Sequence, residues 1–224
     1  MRTSRMWLLY FYLLVIPTWL YNSTEIPEPY KSTILLTPKY FDGWFFPVNK
    51  KMLDYFIKNQ KPLVVAEIGS WLGASTIFMA ELLSDNAKIY AIDHWQGSIE
   101  HKTDNNFTDM LPSLYQQFLS NVIHRKQTSK IIPIRMSSMQ AAQELNITPD
   151  LVYIDGSHDE KDVYEDIMAW YKKLQPQGIL CGDDYGWGNS KLGYVKNGVD
   201  KAARDLGVNL TVLEDRFWYF SPKK

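Results

Sequence analysis

Five short apolar runs recur along the chain, and each is followed by a stretch whose apolar residues return every three or four positions. The runs are Leu63–Ala66, Lys88–Ile92, Ile131–Ile134, Leu151–Ile154 and Gly178–Gly182. With little polar alternation, such runs suit strands covered on both faces. The stretches between them predict helices over Ala74–Leu83, Leu111–Val122, Ser138–Leu145, Asp159–Leu174 and Lys191–Leu206. A further helix, opening at Val48 or Asn49 and running to about Asn59, precedes the first strand. Strands alternating with helices imply a parallel sheet. Asn209–Leu213 and Phe217–Phe220, around the turn Glu214-Asp215-Arg216, predict an antiparallel hairpin at the C-terminus. Gln96–Thr108 reads as polar loop.

Composition narrows the class. The chain has 224 residues, 46% of them hydrophobic, enough for one domain with a sizeable core. Net charge is −1 with no Lys/Arg run, which argues against a nucleic-acid partner. The lone Cys181 excludes an intrachain disulfide and, within an apolar strand, reads as a buried inert thiol. Residues 1–35 stand apart. Arg2 and Arg5 flank an apolar run, residues 6–21, like that of a signal peptide or signal anchor. The run is short for a hydrocarbon core of roughly 30 Å, and no clear cleavage site follows. It leaves two localisations open, cytoplasmic or membrane-associated through this segment. Four N-x-S/T triplets, at Asn22, Asn106, Asn146 and Asn209, would matter only in a secretory lumen. Glu25–Pro38, with three prolines, reads as linker, and the domain is expected over 36–224.

The candidate chemistry gathers at the ends of the predicted strands. Glu67 closes the first, and Gly69, Ser70 and Gly73 form a turn into the helix that carries Ser75. Glycines let a ligand approach the backbone closely, and a helix start offers unpaired N–H groups. Asp93 ends the second strand. A carboxylate there can accept two hydrogen bonds from ribose hydroxyls, or cap the next segment. Trp95 stacks on adenine or packs in the core. Ser137 or Ser138 touches adenine or caps the following helix, with Ser138 the expected cap. Asp155, Asp183 and Asp184 stand at the ends of two neighbouring strands. Three close carboxylates repel each other unless a cation intervenes, and all-oxygen ligation suits Mg²⁺ or a similar divalent ion. The alternative is that each acid serves a turn or cap. His158 could take a hydroxyl proton near neutral pH or orient the Asp159 helix. Tyr185, Trp187 and Gly188 either line an acceptor pocket or stand as exposed loop residues. His101 and His124 read as surface residues.

The segments AEIGSWLGAS, YAIDHWQGS and DLVYIDGSHDEKDVYEDIMAWYKKLQPQGILCGDDY, with the opening GWF, resemble the class I S-adenosylmethionine-dependent methyltransferases. More narrowly they are similar to methyltransferase family 24, related to metal-dependent sugar and catechol O-methyltransferases. The likeness covers about Phe41 to the C-terminus. It implies a Rossmann-like α/β fold with a mostly parallel seven-stranded sheet, helices on both faces and the terminal hairpin. It implies methyl transfer from S-adenosylmethionine to a hydroxyl of a small-molecule acceptor, with a homo-oligomer compatible. Glu67, Gly69 and Gly73 would line the methionine part of the cofactor, Asp93 would hold the ribose, and Asp155, Asp183 and Asp184 would match the metal positions. The catechol-type enzymes carry Asn where this chain has Asp184, and a lysine base for which His158 is the nearest candidate. Two other classes stay open: an NAD-dependent oxidoreductase and a non-catalytic cofactor-binding module. Against the first, the turn is G-x-x-x-G, not G-x-G-x-x-G.

Overall fold

The computed structural model describes residues 26–40, 44–189 and 193–221. The apolar run at residues 6–21 lies outside them. No helix among the described residues is long and apolar enough to cross a membrane.

Seven strands form one sheet in the order β3-β2-β1-β4-β5-β9-β8. The parallel part comprises β1 (Val64–Ile68), β2 (Lys88–Asp93), β3 (Ile131–Arg135), β4 (Leu151–Ile154) and β5 (Ile179–Gly182). β8 (Leu210–Leu213) and β9 (Phe217–Phe220) make the hairpin, and β9 inserts antiparallel beside β5. The fold is therefore the Rossmann-like α/β arrangement expected. Side chains alternate between two cores, as the period of a strand requires. Val65, Tyr153, Cys181 and Phe217 face one of them. There they meet α1 (Pro47–Gln60), α2 (Ala74–Leu82) and α5 (Leu114–His124). Ala66, Ile68, Val152, Ile154, Leu180 and Trp218 face the other. That side is covered by α6 (Ser138–Glu144), α7 (Glu160–Lys173) and α8 (Val195–Leu206). Burial on both faces explains why these strands read as apolar runs rather than alternating ones. Cys181 is fully buried and its thiol pKa is pushed up by burial, as befits an inert packing residue.

Three boundaries differ from the expectation. Residues 26–38 are docked rather than free linker. Tyr30 is buried and its hydroxyl donates to the Ile131 carbonyl at 2.9 Å. The Leu36 and Lys39 amides donate to Ser120 and Asn121 on α5. Gln96–Thr108 is not all loop: α3 (Ile99–Thr103) and α4 (Asn105–Thr108) form within it. The last helix starts at Val195, because Gly193–Tyr194 (β7) pairs with Gly188–Asn189 (β6), a non-local contact that helical periodicity does not reveal.

Candidate active site

The chain order reverses between β1 and β4, and open α/β sheets bind ligands outside the carboxyl ends of their strands at such a point. Here that place is a cavity of about 890 Å³, whose wall includes Gly69, Ser70, Asp93, Ser137, Asp155 and His158. It is within the size range of small-molecule sites, roughly 300–1,000 Å³. Gly69 is where the two strand tips press together. Its φ is +88°, and a Cβ there would lie 2.1 Å from the Asp155 carbonyl oxygen. Asp93 reaches the cavity wall while tying down both loops. One carboxylate oxygen accepts the Trp71 amide at 2.9 Å and the other the Trp95 amide at 2.6 Å. Each oxygen keeps a second lone pair for a ligand hydroxyl.

Several expected cofactor contacts stand elsewhere. Glu67 is fully buried beneath the glycine turn and does not line the cavity. Its carboxylate accepts the hydroxyls of Ser70 at 2.8 Å, Ser75 at 2.5 Å and Thr76. It holds the turn in shape; Ser70 and Ser75 are the residues at the wall. Gly73 likewise faces inward, at φ +87°, against the Phe118 ring. Trp95 does not stack in the cavity. It is 2% exposed, its ring packs on Tyr115 and Phe118, and its Nε1 donates to the Trp71 carbonyl. Ser137, rather than Ser138, caps α6, accepting the Gln140 amide at 3.2 Å. Ser138 instead accepts Trp170 Nε1 and bonds the buried Asp166, and both serines border the cavity.

Burial raises the Glu67 pKa from an ordinary 4.5 to about 7, against the lowering effect of the three hydroxyls. The folded protein then binds more protons than the unfolded chain between those values. The stability this group contributes is present below pH 4.5 and is lost as pH rises through 7, about 3 kcal/mol in all. Asp166, raised by burial to about 7, acts with the same sign. Glu67→Gln is expected to keep the buried shape and flatten this fall. Urea midpoints at pH 5 and pH 8 should differ less in the variant than in the wild type. Equal slopes for the two proteins would refute this account of Glu67.

The three aspartates converge. Asp155, Asp183 and Asp184 each bring an oxygen within 4.8 Å of the others. A small recess beside them is walled also by Val163, Val195 and Trp218 and is no cation cage. Burial, then the neighbouring Asp183 and Asp184, pushes the Asp155 carboxyl well above the usual range. Burial and Asp184 raise Asp183 to about 6. Three hard oxygen donors this close together fit a divalent cation. Below them, Asn49 of α1 donates to the Tyr153 hydroxyl at 2.9 Å and bonds Asp183, while Tyr153 bonds Asp155.

His158 Nε2 lies 3.0 Å from Asp184 Oδ2. Trp187, about half exposed, places its ring 5.3 Å from the imidazole and borders the cavity; Tyr185 does not, its hydroxyl donating to Asp200 at 2.8 Å. Two residues went unrecognised in the sequence. Arg216, from the β8–β9 turn, reaches Asp184 Oδ1 at 2.6 Å and covers the Phe46 ring at 3.6 Å. His101 stacks on Trp71 at 4.1 Å in the cavity wall, so it is no plain surface residue. His124 also departs from that reading, bonding the Leu36 carbonyl at 3.0 Å.

A family profile described as a methyltransferase domain, methyltransferase family 24, matches residues 66–185. The chain belongs to this family. The match spans the glycine turn, Asp93, His158 and all three aspartates. Among solved structures, the family member is similar to an O-methyltransferase from Bacillus cereus in complex with S-adenosylhomocysteine. That likeness has 18% identity and TM-score 0.56, over 80% of this chain and 82% of that one. It is similar too to the O-methyltransferase TomG of Streptomyces achromogenes, involved in tomaymycin synthesis, in complex with S-adenosylmethionine. Here identity is 15% and the TM-score 0.58, over 80% and 81% of the two chains. A methyltransferase from Geobacter sulfurreducens aligns at 12% identity and TM-score 0.54, covering 80% of each. No curated protein sequence matches. Neither the family match nor these neighbours support the oxidoreductase reading. The domain is a methyltransferase domain.

Proposed function

We propose that this methyltransferase acts on a hydroxyl group of a small-molecule acceptor, a sugar being the class the site suits best. The observation that carries the reading is the continuity of one cavity from the glycine turn and Asp93 to His158, Asp184 and Trp187. S-adenosylmethionine supplies the methyl group on an activated sulfonium sulfur. Gly69, Ser70 and Ser75 form the wall at the glycine turn, and Asp93 presents its remaining lone pairs to the ribose. A half-exposed indole beside a carboxylate and an imidazole suits a sugar ring, which offers an apolar face and hydroxyl edges. Holding such an acceptor in line can supply about 7–11 kcal/mol of the barrier.

His158 would take the acceptor's proton. A proton on Nε2, donated to Asp184, leaves the basic lone pair on Nδ1. Asp155, Asp183 and Asp184 would hold a divalent cation, whose chemistry there would be to lower the pKa of a bound hydroxyl.

Calorimetry and product analysis test this together. S-adenosylhomocysteine is expected to bind and NAD not to. A panel of sugars, phenols and alcohols with S-adenosylmethionine should yield O-methyl product detectable by mass spectrometry. Tight NAD binding without S-adenosylhomocysteine binding would reject the cofactor assignment, and methylation confined to nitrogen or carbon would reject the acceptor class.

A further inference from the structure

Arg216 is placed at the aspartate cluster by backbone architecture. β9 inserts beside β5, and the turn before it meets the loop after β5. The Tyr185 amide donates to the Arg216 carbonyl at 2.9 Å, and the Gly186 amide to the Asp215 carbonyl at 2.9 Å. A Cβ on Gly186 would come within 2.7 Å of that same Asp215 carbonyl oxygen, so the two loops meet as closely as backbones can. These contacts fix the Arg216 backbone beside the aspartate cluster. The guanidinium stacks on Phe46, reaches Asp184 Oδ1 at 2.6 Å and lies 3.6 Å from Asp183 Oδ1. It touches two of the three carboxylates and borders the same cavity as Asp155 and Asp184.

We propose that Arg216 is a resident counter-cation of the three-aspartate site, which engages two of its carboxylates and so weakens divalent-cation binding between them. The inference rests on the reading of Asp155, Asp183 and Asp184 as cation ligands. An Arg–carboxylate bond is among the stronger hydrogen bonds, and the Asp184 oxygen engaged in it is a poorer metal donor. The fixed positive charge also offsets part of the negative potential that attracts a cation. Cation occupancy thereby becomes dependent on cation concentration, rather than complete at trace levels.

The test uses the full chain, stripped with chelator and titrated with Mn²⁺ at pH 8 by calorimetry, with S-adenosylhomocysteine bound. Arg216→Met is expected to bind Mn²⁺ at least tenfold more tightly than the wild type. Arg216→Lys, which keeps the charge, should stay near the wild type. Equal Mn²⁺ affinity in wild type and Arg216→Met, or no binding in either, overturns the proposal. Titration of S-adenosylhomocysteine into the same samples keeps the two readings apart. Its loss in the wild type would fault the cofactor assignment, whereas its retention with unchanged Mn²⁺ affinity faults the role of Arg216 alone.

Discussion

Gly69→Ala is expected to abolish cofactor binding and to destabilise the domain by about 3 kcal/mol or more. Two costs combine. At φ +88° any L side chain is strained, by about 1–2 kcal/mol. The added methyl would also lie 2.1 Å from the Asp155 oxygen, 2.5 Å from the Gly156 Cα and 2.6 Å from the Asp155 carbonyl carbon. All three are backbone atoms, so no rotamer change relieves the overlap. The tips of β1 and β4 must part instead, against the Asp155 amide bond to the Ile68 carbonyl at 2.8 Å. The same movement displaces the cavity floor and carries Asp155 away from Asp183. For a domain of this size, 3 kcal/mol lowers Tm by roughly 6–12 °C. Gly207→Ala is the control: it shares positive φ, at +65°, but its Cβ meets nothing within 4 Å. It should show the conformational cost alone and leave S-adenosylhomocysteine binding intact. A Gly69→Ala protein that melts and binds like the Gly207→Ala protein would refute the close-approach argument.

The contrast between these two glycines shows which parts of the molecule could be seen in the sequence. Local periodicity marks elements, so the buried runs at β4 and β5 and the terminal hairpin were all legible. The acids at the strand tips were legible too, because parallel strands put their carboxyl ends on one side of the sheet. What each side chain touches is a matter of three-dimensional contacts that periodicity does not encode. Glu67 looks like any strand-end carboxylate until Ser70 of the following turn and Ser75 and Thr76 of α2 close over it. Trp95 looks like a stacking platform until α5 delivers Tyr115 and Phe118 to its ring. Arg216 sits in an ordinary hairpin turn, and only the insertion of β9 next to β5 brings it to Asp184. The docked segment at 26–40 carried loop-forming prolines, but its anchors, Ser120 and Asn121, belong to a helix some eighty residues on.

His158→Ala is expected to lower kcat by roughly 10²–10⁴-fold, the usual contribution of a positioned general base, while cofactor affinity stays unchanged. The geometry favours His158 over the aspartates for this step. A carboxylate drawn into a cation site has its lone pairs committed. The imidazole instead keeps a lone pair on Nδ1 and is aligned from behind by Asp184 at 3.0 Å. Its place between Asp184 and the Trp187 ring puts it where an acceptor hydroxyl would arrive. The pH profile separates proton transfer from mere support of the pocket. In the wild type, kcat should rise with pH along a limb set by one deprotonation and then level off. In His158→Ala that limb should vanish, and the residual rate should climb with hydroxide instead. A His158→Ala enzyme that loses activity but keeps the wild-type limb would make His158 a positioning residue and send the search for the base to the aspartates.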